Sequence, residues 1–181
     1  MSGYDLLWIP VWLFPYLAPA CLYCLSSSTL MTEVLHSNAL PLFQLFILLG
    51  LLALAASVAL LIRALTGRLT PVQALRGNAA LKLLQIPAYL ILFGMGTLLV
   101  LALFTAPFAL IFLLFDGVSI LLCGLPGLGG LLRARREGLL DTRHTVWYSV
   151  LQFVFCLDLV GALLAYRRVR RSAGNDPSIC R

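Results

Sequence analysis

The sequence predicts an all-α integral membrane helix bundle of about five transmembrane helices, with four plus an interfacial N-terminal helix as the alternative. Three observations predict it. Of 181 residues, 61% are hydrophobic and 11% charged, at a mean hydropathy of +0.99, too few polar residues to cover a core in water. The apolar residues gather in runs near the ~20 residues that carry a helix across ~30 Å of hydrocarbon. The arginines stand at the ends of those runs, so the net charge of +6 reads as topology setting and anionic headgroups, not nucleic acid.

The first run, Leu6–Leu25, carries Pro10, Pro15 and Pro19 among Trp8, Trp12, Tyr16 and Tyr23. It reads as a kinked span or a segment at the membrane surface. No Lys or Arg precedes it, which argues against a cleaved signal peptide. Pro41–Ile62 and Leu83–Phe104 are uninterrupted apolar runs, with Pro87 read as lying in the first turns of the second, where a missing N–H costs least. Gln85, Tyr89 and Gly96 share one face there and read as packing. Phe108–Leu131 ends in "CGLPGLGGLL", whose glycines and Pro126 predict an irregular or re-entrant last turn. A phosphate cradle would need a Lys and a hydroxyl residue after the glycines, and Leu131-Leu132-Arg133 follows instead. The fifth run is Val146–Tyr166. Residues 1–171 thus form one transmembrane domain, and 172–181 a short polar tail read as disordered.

Lys and Arg number four in Arg63–Lys82, four in Leu132–Thr145 and five in the tail. Five spans therefore place eight inside and five outside. That orientation leaves Arg167, Arg168, Arg170 and Arg171 on the outer side, an uncomfortable place for them. Arg133, Arg135, Arg136, Arg167, Arg168, Arg170 and Arg171 read as setting topology or meeting headgroups.

The candidate chemistry lies with two aspartates. An Asp near the centre of a span costs about 2.5–3.5 kcal/mol, so Asp158 must face protein or water. Gly161, Ala162 and Ala165 follow it on one face, a small-residue surface that lets another helix approach. Asp116 heads a second stripe with Ser119, Cys123 and Gly127. Each Asp is expected about 12 Å below the outer end of its span, so the two can meet. With no Lys or Arg placed inside any span, such a pair would hold a proton or bind a cation. The alternative is a protonated side chain that only hydrogen-bonds a neighbouring helix.

Cys21 and Cys24 form a C-x-x-C pair at the expected outer end of the first span. A membrane thiol oxidoreductase would need an activating charge and a second external pair; lacking them here, the two cysteines read as small apolar residues. His36 and His144 have no Cys, His, Asp or Glu at ligand spacing, so no metal and no cofactor is expected.

The run Gly127–Val169, with Arg136-Glu137-Gly138, Gln152, Phe153, Phe155 and Asp158, resembles the C-terminal half of small uncharacterised polytopic membrane proteins of Gram-positive gut bacteria. The resemblance implies a membrane helix bundle and no particular activity. The expected function is non-enzymatic, a subunit or accessory of a membrane complex. The alternative is a small transporter or substrate-binding component using Asp116 and Asp158. Expected partners are the lipid bilayer and another membrane protein or a second copy.

Overall fold

The computed structural model describes residues 5–101, 106–154 and 157–175. Among these residues are six α-helices: α1 Asp5–Ser26, α2 Leu40–Leu65, α3 Pro71–Leu101, α4 Ala106–Arg136, α5 Thr142–Leu151 and α6 Leu157–Asn175. A π-helical turn, Leu30–Val34, lies between α1 and α2. Among the described residues there is no strand. Four helices among the described residues, α1 to α4, are long and apolar enough to cross a membrane.

The first three candidate spans stand as helices as far as they are described, 102–104 lying outside the described residues, but α3 begins at Pro71, twelve residues before the run at Leu83. Thr70 explains the early start. Its hydroxyl accepts from the Gln73 amide while Gln73 Oε1 accepts from the Thr70 amide, a reciprocal cap with Pro71 at the first helical position. Pro87 is therefore in the middle of a helix and not in its first turns.

The fourth run needs a similar correction. Its glycines do not unwind it, since α4 is helical through Arg136. They let neighbours approach. A Cβ at Gly124 would strike the Phe153 ring, and one at Gly130 would press on Ala74 and Leu75. Packed against every other α-helix, α4 is the central element of the bundle.

The fifth candidate, Val146–Tyr166, is not one helix. Ten residues of α5 rise only ~15 Å, and the i→i−4 ladder then gives way. The amides of Phe153 and Val154 reach back to Val150 and Leu151 in i→i−3 bonds. The next helix turns back rather than continuing across. Asp158 lies beside Lys82, whereas Ala165 and Val169 lie with Leu75, Val72, Leu131 and the α4–α5 turn in one core cluster. So α6 runs antiparallel to α3, and α5 and α6 form a re-entrant hairpin whose legs meet where Gly161 faces Leu151.

The hairpin returns the end of α6 to the end of the bundle that holds the α2–α3 and α4–α5 turns. Arg63, Arg68, Arg76, Arg133, Arg135, Arg136, Arg143, Arg167, Arg168, Arg170 and Arg171 all belong to that end. The five-span count had divided these charges between two sides. Gly67 and Gly138, at φ 83° and 74°, occupy the left-handed position that closes α2 and α4 there. Residues 172–175 continue α6, and 176–181 lie outside the described residues.

Candidate functional site: a buried ion pair at a broken helix

Four polar residues share one face of α3: Asn78, Lys82, Gln85 and Tyr89, spaced four, three and four residues apart. The first three are buried, Lys82 at 1% exposure. Lys82 is eleven residues past Pro71, about 16 Å along the helix, within its apolar length. A charge at that depth needs a partner.

It has two. Lys82 Nζ donates to the Gln152 carbonyl at 3.2 Å and lies 3.2 Å from Asp158 Oδ2. The carbonyl belongs to the last turn of α5 and the carboxylate to the first turn of α6. Carbonyls at a helix C-terminus carry partial negative charge and amides at an N-terminus partial positive charge. The ammonium therefore sits at one dipole end and the carboxylate at the other. Asp158 Oδ1 also accepts from the Leu159 amide at 2.7 Å.

The same device recurs at two prolines. Pro15 removes the N–H that would bond the Val11 carbonyl, and Gln85 Nε2 donates to that carbonyl at 3.0 Å. Pro126 likewise frees the Leu122 carbonyl, which the Ser57 hydroxyl takes. No water in the bilayer core can satisfy such groups. Each of these breaks has its own side-chain donor from another helix. Gln85 is held further by Cys123 Sγ at 3.1 Å and by the Tyr89 hydroxyl.

Beside the ion pair opens a cavity of about 410 Å³. Lys82, Asp158 and Tyr89 supply its polar wall; Ile86, Ile120 and Leu159 are among the apolar residues that complete it. Behind the pair, the buried amides of Asn78 and Gln152 converge on Gly127 and have no hydrogen-bond partner among the described residues.

The expected residues fall differently from their sequence reading. Asp158 is in the site, but its neighbour is Lys82, which the apolar runs had assigned to a loop. Asp116 makes no ion pair or hydrogen bond with it among the described residues, although the two carboxylates are near enough to repel each other. Contacts of Gln85 with Cys123 and of Asn78 with the Gly127 position set the level of the pair on α4. Asp116 is about 10 Å beyond Cys123 toward the opposite end, and its buried Oδ1 has no partner among the described residues. The Ser119 hydroxyl bonds back to the Phe115 carbonyl of its own helix at 2.9 Å. Gly161, Ala162 and Ala165 are buried inside the bundle. Cys21 and Cys24 are half-buried free thiols on α1.

A family model described as a family of unknown function, DUF6652, matches residues 6–171. The chain belongs to this family. The match runs from α1 into the arginines of α6, so all residues of the ion-pair site lie within the DUF6652 region. No curated protein and no solved structure matches the chain.

Proposed function

We propose that this multi-pass protein is a non-enzymatic component of the cell membrane that binds a small amphipathic molecule, anchored by Lys82 and Asp158. The observation that carries this reading is the cavity of about 410 Å³ with one ionic wall and otherwise apolar lining. Its size falls within the ~300–1,000 Å³ of small-molecule sites, which are mostly apolar with a few placed polar groups. An ion pair that served only to join helices would need no chamber beside it. Discontinuous helices with facing termini at mid-depth are also how membrane carriers build binding sites. By the positive-inside rule, the arginine-rich end faces the cytoplasm. Resemblance to small membrane proteins of Gram-positive bacteria fits the same location.

The test uses a diazirine-bearing fatty alcohol as probe on the purified protein in lipid nanodiscs. Illumination should label Ile86, Tyr89 or Ile120, and Ile120→Trp, which fills the cavity, should abolish that labelling. Labelling spread over the lipid-facing residues of α2 and indifferent to Ile120→Trp overturns the reading.

A second reading, an accessory subunit of a larger complex, draws on α2. Ala55 is exposed and Ala59 half-buried, a small-residue patch of the kind helices use to pack in membranes. Purification in mild detergent separates the two: the subunit reading requires a membrane partner lost on Ala55→Leu.

A further inference from the structure

A second groove lies between α1 and α3 at the arginine-rich end, independent of the ion-pair cavity. Its volume is about 560 Å³. Trp8, Ile9 and Trp12 of α1 form one wall; Gln73, Arg76, Gly77, Ala80 and Leu84 of α3 belong to the other. From Gln73 to Leu84 is eleven residues, about 16 Å of helix, which matches one leaflet of a ~30 Å hydrocarbon core. The polar groups sit at the mouth and the apolar ones below. Arg76 is exposed and has no carboxylate partner among the described residues. Gly77 lets the Trp8 ring lie against the α3 backbone, which forms the floor. Trp12 lines the groove, and its buried indole Nε1 has no acceptor among the described residues.

We infer that this groove is a site for one anionic phospholipid of the arginine-side leaflet, its phosphate at Arg76 and an acyl chain along Ala80 and Leu84. Charge selects the occupant. Among the described side chains the arginine-rich end carries eleven arginines against Glu137 and Asp141, and basic recesses between transmembrane helices on that side suit anionic headgroups. A free phosphate would leave the apolar length of the groove unfilled. An ester carbonyl below the headgroup would give the Trp12 N–H its acceptor.

Native mass spectrometry of the full chain, released from an equal mixture of phosphatidylglycerol and phosphatidylcholine, tests the site. The wild type should retain one phosphatidylglycerol in preference to phosphatidylcholine, and millimolar inorganic phosphate should not displace it. Arg76→Gln should lower that preference about fivefold, and Ala80→Phe should abolish retention. Arg135→Gln, at the same end but outside the groove, should leave both unchanged. Equal retention of the two lipids, an equal effect of Arg76→Gln and Arg135→Gln, or displacement by phosphate overturns the proposal. Because Arg76 and Ala80 are exposed, their replacement leaves the core intact, and an unchanged melting temperature verifies it.

Discussion

Lys82 and Asp158 form a buried ion pair, Nζ to Oδ2 3.2 Å, that closes the gap between two half-helices. Lys82 reaches both halves, since its ammonium also holds the Gln152 carbonyl. The pair is therefore as much a backbone device as a charge device. It meets the free carbonyl at the end of α5 and holds the first turn of α6 in place.

Removing one partner should cost far more than removing both. Lys82→Met leaves a carboxylate and a carbonyl buried without a donor, and should destabilise by about 3–5 kcal/mol. Lys82→Met with Asp158→Leu removes both charges and should recover much of that loss, leaving mainly the carbonyl unpaired. Unfolding in mixed micelles measures the cycle. Equal losses in the single and double variants would show that the charges are not coupled.

Gln85 and Pro15 should be coupled although they lie on different helices. Gln85→Leu withdraws the donor from the Val11 carbonyl that Pro15 leaves open. The expected cost is about 0.6 kcal/mol, the average for interhelical hydrogen bonds in membranes, and at most about 1.7 kcal/mol. In a Pro15→Ala background the chain's own amide serves that carbonyl, so Gln85→Leu should cost measurably less. Additive losses would dissolve the link between proline and glutamine.

The four long helices were legible because an apolar run and a spanning helix are nearly the same object in a bilayer. Lys82 was not, because hydropathy assigns a lysine beside an apolar run to the adjoining loop. The signal that corrects it is local: Thr70-Pro71-x-Gln73 marks a helix start, and from there Asn78, Lys82, Gln85 and Tyr89 fall on one face. The break after Leu151 had no such signal, since neither Gly nor Pro occurs between Ser149 and Leu159. It is set by tertiary partners. The Gln152 carbonyl has Lys82 as donor, and Asp158 gains an N-terminal turn. The residues of α5 gave a partial warning, since Arg143, His144, Tyr148 and Ser149 suit a protein surface better than lipid.

Gly127 should resist any side chain. A Cβ there would collide with the amides of Asn78 and Gln152, both fully buried. Gly127→Ala is expected to cost about 1–3 kcal/mol, and to lose the Lys82 contact if Gln152 is pushed aside. Asn78→Ala in the same chain makes room and should return part of the loss. Thermal unfolding of the two variants against the wild type decides it; a neutral Gly127→Ala would mean the helices separate there without penalty.

The re-entrant hairpin makes an all-or-none statement about sidedness. Four crossings put the α2–α3 turn and the end of α6 on one side, and Cys21 and Cys24, near the far end of α1, on the other. A five-span chain would place Ser172 with Cys24 instead. In a chain whose other cysteines are replaced by serine, Thr66→Cys and Ser172→Cys should react with an impermeant maleimide from the same face of sealed vesicles. Cys24, kept alone, should react only from the opposite face. If Ser172→Cys labels with Cys24, α6 continues across the membrane, and the arginine-rich end is divided as the apolar runs alone suggested. If it labels with Thr66→Cys, those arginines share one membrane surface, the arrangement that the positive-inside rule requires.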